Sequence, residues 1–116
     1  MAEITAEAYT DLRNHIQTDW KYIELVSDLD SAIVRLDATT DVRCTSTISG
    51  NNVVITVVVK GSDADITAPV TIAGSKIYDV ATAGTSYSTE TFTAFTIAGD
   101  QDELTVTHTI QVPQTV

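Results

Sequence analysis

Seven consecutive residues, Val53-Val54-Ile55-Thr56-Val57-Val58-Val59, are all β-branched, and no other stretch limits the fold as strongly. Such side chains lose rotamer freedom in a helix and pack well on a pleated surface, so the run is a strand. Gly50-Asn51-Asn52 stands just before it, and these residue types tolerate the positive φ of tight hairpin turns. Upstream, Val42, Cys44, Ser46 and Ile48 alternate with Arg43, Thr45 and Thr47, giving the other arm of a hairpin. A run apolar on both faces needs both faces covered, or it becomes an aggregation hazard. It is predicted to be a central strand. It is also far too short for the ~20 apolar residues of a membrane helix, so no span is expected.

Around this hairpin the period of two recurs. Ile23 and Leu25 share one face against Tyr22 and Glu24, and Ala32 to Leu36 resumes the pattern after a polar break at 27–31. Weaker strands are read at Val70–Ala73, Lys76–Ala81 and Thr89–Ile97, with Pro69 marking an edge or a loop entry. The last strand, Glu103 to Val112, sets Leu104, Val106, His108, Ile110 and Val112 on one side and Thr105, Thr107, Thr109 and Gln111 opposite, with Pro113 as its stop. Short strands with turn signals every 8–12 residues describe an antiparallel sandwich or barrel. A Thr-Ile-Ala-Gly quartet at 71–74 and again at 96–99 is too short to count as a repeat.

The first twenty residues read differently. Thr5 can cap a helix, Glu7 lies in the first turn where the dipole favours a carboxylate, and Ile4 with Tyr9 fits a hydrophobic staple. Tyr9, Leu12, Ile16 and Trp20 form one apolar stripe, with Asp11, Arg13, Asn14 and Gln17 on the other side, over a helix from Ala6 to Gln17. The stripe packs either on the chain's own core or on a neighbouring subunit, which makes these four residues interface candidates. The expected architecture is mainly β: residues 20–116 form a single antiparallel β-sandwich, immunoglobulin-like or similar, preceded by an N-terminal helical arm over 1–19.

Charge and composition narrow the function. Sixteen acidic against six basic side chains give −10 in 116 residues, which argues against a role that neutralises nucleic-acid phosphates. No Lys or Arg follows Lys76, so the last forty residues repel nucleic acid and favour cations or a basic surface. The acidic start, Met-Ala-Glu-Ile-Thr-Ala-Glu-Ala, does not read as a secretory leader. One cysteine, Cys44, excludes an internal disulfide and reads as a buried, inert thiol. His15 reads as solvated and His108 as a core or interface histidine, and no hydrolase elbow, P-loop, Rossmann fingerprint or zinc-protease motif occurs. No catalytic residue and no cofactor are expected. Three acidic turns, Asp28/Asp30, Asp63/Asp65 and Asp100/Asp102, place carboxylates at i, i+2. They are weak calcium candidates, because aspartate is also an ordinary turn former and none carries a hand-type loop. Tyr22, Tyr78 and Tyr87 could serve carbohydrate binding, though they form no cluster in sequence. Twenty threonines, concentrated at outward strand positions, give a half-apolar surface that suits packing against partners.

A short helix opening into Trp20-Lys21-Tyr22-Ile23-Glu24-Leu25 leads through an acidic turn to Ala32-Ile33-Val34-Arg35-Leu36. Later come Val57-Val58-Val59-Lys60-Gly61-Ser62-Asp63-Ala64-Asp65-Ile66 and the tail from Glu103 to Pro113. In this combination the chain resembles small structural proteins of tailed bacteriophage virions, of the fibre- and decoration-type accessory kind. The resemblance implies a non-enzymatic virion component that assembles in multiple copies as a capsid decoration or a head or tail accessory. Its implied partners are itself, as a homo-oligomer such as a trimer, and other virion proteins such as capsid or tail proteins. It implies synthesis in the host cytoplasm without a signal peptide, and neither nucleic acid nor membrane as partner. The alternative is an immunoglobulin-like binding or adhesion module linked to calcium through the aspartate turns.

Overall fold

A computed structural model describes residues 4–112. Pro113 and the first three residues, on which the strand stop and the leader reading partly rest, lie outside the described residues. Helix α1 (Ala6–Asp19) is followed by seven strands: β1 (Tyr22–Val26), β2 (Ala32–Asp37), β3 (Cys44–Ser49), β4 (Asn52–Lys60), β5 (Val70–Tyr78), β6 (Ser88–Ile97) and β7 (Glu103–Gln111). They make two antiparallel sheets, β2-β1-β5-β6 and β3-β4-β7, which stack as a β-sandwich. The β-branched run is the centre of the smaller sheet, as its two apolar faces require. Val53, Ile55, Val57 and Val59 are fully buried between the sheets and Val54, Thr56 and Val58 partly covered on the far face. Gly50 supplies the positive φ of 59° in the β3–β4 turn. The strand order is the protein's own. β3 and β4 pair within one sheet, where an immunoglobulin constant domain separates its third and fourth strands.

One core runs through both sheets: Ile23, Leu25, Ile72 and Ile77 from the larger meet Val53, Ile55, Val57, Val106 and Ile110 from the smaller. The helix joins it. Thr5 accepts a hydrogen bond from the Ala8 N–H at 3.2 Å, as a capping residue should, and α1 lies on β3 and β4 with Ile16 inside the core.

Three expectations need correction. Arg13 is buried rather than solvent-facing and Leu12 is 42% exposed, so the covered face runs through Tyr9, Arg13, Ile16 and Gln17. The cause is long-range: the Gln17 side-chain amide donates to the Ser46 carbonyl on β3 at 2.9 Å, which fixes the roll of the helix. Residues 70–78 form one strand where two were expected. Gly74 sits at an irregularity, and a Cβ there would lie 3.0 Å from the Glu90 carbonyl oxygen and 3.1 Å from Val26 Cγ2. The glycine permits close approach of β6 and breaks nothing. Val42, set on one strand face with Cys44 by the alternation, is 99% exposed, because residues 41–43 form a turn ahead of β3.

Candidate functional site

The turn that expels Val42 is organised by charge. Asp41 Oδ1 accepts from the Arg43 N–H and from Arg43 Nε, both at 2.9 Å, a local ring that aspartate forms readily at i, i+2. The guanidinium then reaches two further carboxylates: Nη1 lies 3.2 Å from Asp63 and 2.7 Å from Asp65, and Nη2 lies 2.8 Å from both Asp41 and Asp65. Hydrogen bonds from Arg43 hold the Asp41 carboxyl down at about 2 and keep Asp65 below its ordinary value, while the three carboxylates raise Arg43. So Asp63 and Asp65, the middle pair of calcium candidates, meet around a cation supplied by the chain itself. Asp30 pairs with Lys76 Nζ at 3.0 Å, and Asp102 Oδ2 accepts from the main-chain N–H groups of Ala98 and Gly99 at 2.6 and 3.2 Å. Asp28 and Asp100 stand exposed on their turns. Gly61 does bring two of the acidic loops together: its N–H donates to the Asp102 carbonyl at 2.9 Å, and a Cβ on it would run into the Gly99 carbonyl. Yet among the described residues no three carboxylate, imidazole or thiol groups converge as a metal set.

His108 lies on β7 with no exposed surface, among the inward residues the alternation assigns it to. Its ring crosses the core: Nδ1 is 2.7 Å from Ser75 Oγ on β5, and Nε2 is 2.8 Å from Ser88 Oγ on β6. A neutral imidazole donates through one nitrogen and accepts through the other, and two hydroxyls can match either tautomer. Glu90 Oε2 is 3.9 Å from Nδ1 and accepts from the Thr109 main-chain N–H at 3.2 Å. Burial pushes the imidazole below its ordinary value, with Glu90 opposing. Serine, imidazole and carboxylate thus stand near one another, but with Ser75 and His108 fully enclosed the group acts as a polar tie between the sheets. Cys44 is buried at the start of β3, and its thiol is pushed up to about 11, first by burial and then by the nearby Asp41. That leaves little thiolate at neutral pH.

The two long sides of the sandwich differ. At β3 the helix supplies cover, and the outer face of the larger sheet carries its own contacts. Ile16 enters the core, Gln17 takes a β3 carbonyl, and Trp20 meets Tyr87 with ring centroids 5.0 Å apart. Arg35 on β2 pairs with Glu24 at 2.8 Å, lies 3.6 Å over the Tyr78 ring, and donates to the carbonyls of Val80 and Ala83 at 3.0 and 2.9 Å. Of the four interface candidates, Ile16 is buried, Tyr9 and Trp20 are half-buried, and Leu12 is exposed. A shallow polar depression of about 430 Å³ collects His15, Asp19, Trp20, Lys21, Asp79 and Tyr87, bringing one of the three tyrosines beside the tryptophan.

The opposite side is open. β6 and β7 are both edge strands, each paired on one flank only among the described residues, and they face each other across the mouth of the sandwich. Between them lies a groove of about 410 Å³ lined by Phe92, Thr93, Thr105, Val106 and Thr107. Phe95 is a further half-exposed aromatic on this rim. Residues 91–99 carry no charge, and residues 104–112 carry none apart from the buried imidazole. Sequence reading placed these threonines outward but did not single them out as a site. The signal available was two uncharged threonine-alternating stretches in a strongly acidic chain. No family model, curated protein or solved structure matches this chain.

Proposed function

We propose that this protein is a non-enzymatic structural component of a tailed-phage virion that works by assembling in multiple copies, as a capsid decoration or head/tail accessory. The observation that carries the reading is the open side of the sandwich: two adjacent edge strands, rich in threonine and without acidic or basic side chains over residues 91–97 and 104–111 apart from the buried His108, in a chain of net charge −10. An uncovered edge is a template for another strand, and folded domains ordinarily blunt it with charge, proline or a covering element. This chain lays α1 against β3, where Gln17 takes the Ser46 carbonyl, and on β7 offers only Glu90 to the Thr109 N–H. The residues that chemistry would draw on are committed elsewhere. His108 has both ring nitrogens hydrogen-bonded inside the core, and Cys44 has a raised, buried thiol. The acidity keeps unassembled subunits apart and away from a genome. Mass spectrometry of purified particles from the source, with light scattering on the isolated protein, tests the reading. Recovery from particles in many copies per virion is expected; absence from particles, with a strict monomer in solution, overturns it.

A further inference from the structure

We infer that two copies of this chain join through the open side, with β7 pairing antiparallel to β7 of the partner subunit about a two-fold axis at Val106. This deepens the proposed assembly role and rests on it.

The main-chain geometry comes first. The Thr109 N–H donates to Glu90 and not to β4, so it points to the free flank of β7. In an antiparallel strand, alternate residues send both main-chain groups the same way. Thr105 and Thr107 therefore also point outward, and among the described residues nothing takes their N–H and C=O groups. β7 keeps register with β4 from Asn52↔Gln111 to Lys60↔Glu103 without irregularity, so its free flank is straight. β6 is different. Its pairing with β5 shifts between Ile72↔Phe95 and Gly74↔Thr91, and a bulge of this kind bends a strand and spoils its edge as a template. Of the two open edges, β7 is the one fit to receive a strand.

Charge then selects the occupant. A two-fold contact sets a patch against itself, so any net charge on it is doubled and repels. For a chain of −10, self-association needs a neutral patch, and the stretch from Leu104 to Ile110 is neutral while the acids at Glu103 and Glu90 bracket it. A basic foreign partner would instead be drawn to the acidic turns. Symmetry and the free main-chain groups together set the register, since an axis at Thr107 would need the Thr109 N–H that Glu90 already takes. An axis at Val106 faces Thr105 with Thr107 of the partner subunit, so both outward pairs of main-chain groups are met twice. The engaged Thr109 N–H falls opposite Glu103 of the partner subunit, where the two acids end the ladder. Facing threonines are favourable cross-strand neighbours, and the groove beside Phe92 and Val106 closes against its symmetry copy.

The test is sedimentation equilibrium on the full chain, from low micromolar to near millimolar concentration, for wild type, Thr107→Lys and Thr47→Lys. Both threonines are exposed on edge strands, β7 and β3 respectively, and circular dichroism with a thermal melt confirms that each variant folds. A wild-type dimer is expected. Thr107→Lys, which sets two like charges beside the axis, should raise the dissociation constant at least about tenfold, and Thr47→Lys should leave it unchanged. A dimer that survives Thr107→Lys overturns this interface while leaving the assembly role standing. A wild-type chain monomeric throughout overturns the interface, and particle mass spectrometry then decides the assembly role separately. A dimer broken by Thr107→Lys in a protein absent from particles keeps the interface and removes the virion.

Discussion

The side of the sandwich bounded by β2 and β3 and the side bounded by β6 and β7 are built from the same antiparallel strands, yet they solve the edge problem in opposite ways. On the first, the contacts reach across the chain: Gln17 takes the outward Ser46 carbonyl of β3, Arg35 spans the sheet face to Val80 and Ala83, and Arg43 ties the turn before β3 to Asp63 and Asp65. On the second, one carboxylate, Glu90, takes one outward N–H, and threonines line what is left. The contrast teaches that closure is not dictated by strand composition. β3 is also threonine- and serine-rich, and its edge is met because a helix lies within reach. The two sides therefore answer to perturbation differently, and the difference can be measured.

The covered side should give the largest loss. Ile16 is 6% exposed and packed in the common core, whereas Leu12, one turn earlier, is 42% exposed. Ile16→Asp should cost about 3–5 kcal/mol in urea unfolding, because it buries an unpaired charge, and Leu12→Asp less than about 0.5 kcal/mol. Equal losses would mean that the helix does not rest on β3 as described.

Next comes the tie that joins the two sides. His108→Leu leaves the fully buried Ser75 hydroxyl without its partner and should cost about 2–3 kcal/mol. Because burial lowers the folded-state value below that of the unfolded chain, the unfolded chain takes up the proton first as pH falls. The stabilisation held by neutral His108 is thus complete above about pH 6.5 and declines as pH drops toward the lowered folded value. Urea midpoints taken from pH 7.5 down to 5 should show wild type losing stability over this window and His108→Leu losing less. Parallel curves would remove the imidazole as the titrating group.

A smaller effect is expected at the Arg43 cluster, which is partly open to solvent. Arg43→Gln leaves three carboxylates facing one another and should cost about 1–2 kcal/mol, partly restored by salt. The Asp41 carboxyl, held at about 2 beside the guanidinium, should move back toward its ordinary value. The stability it lends is present above the unfolded value near 3.8 and vanishes as pH falls through the folded one. A carboxyl NMR titration that finds Asp41 unmoved in the variant would show that the cluster is not what perturbs it.

What could be read from the chain alone follows the range of each interaction. The β-branched run, the Thr5 cap and the inward slot of His108 depend on residues within a few positions, and local period was enough to place them. Arg13, Val42 and Gly74 depend on partners far along the chain. The helix roll is set by Ser46, 29 positions from Gln17, and the Arg43 side chain beside the Val42 turn is tied down by Asp63 and Asp65, 20 and 22 positions away. No window of sequence contains those contacts. The open side was illegible for a related reason: alternation says which face a threonine takes, but not whether its strand ends a sheet or lies within one.

The smallest effect tests the free flank of β7 itself. Proline removes an N–H and fixes φ, and in a sheet it is tolerated only where that N–H faces away from the ladder. Thr107 sends its N–H outward, two residues from the Thr109 N–H that Glu90 takes, while its neighbour Val106 bonds inward to β4. At concentrations where the chain is monomeric, Thr107→Pro should therefore cost no more than about 1 kcal/mol. Val106→Pro, one position away in the same strand, should cost about 3 kcal/mol or more because it breaks the ladder and disturbs the core. Reversal of the pair would put the inward and outward residues of β7 the wrong way round, and with them the flank offered to a second strand. The same Thr107→Pro variant at high concentration should still fail to dimerise, since it loses the donor that Thr105 of the partner subunit must receive.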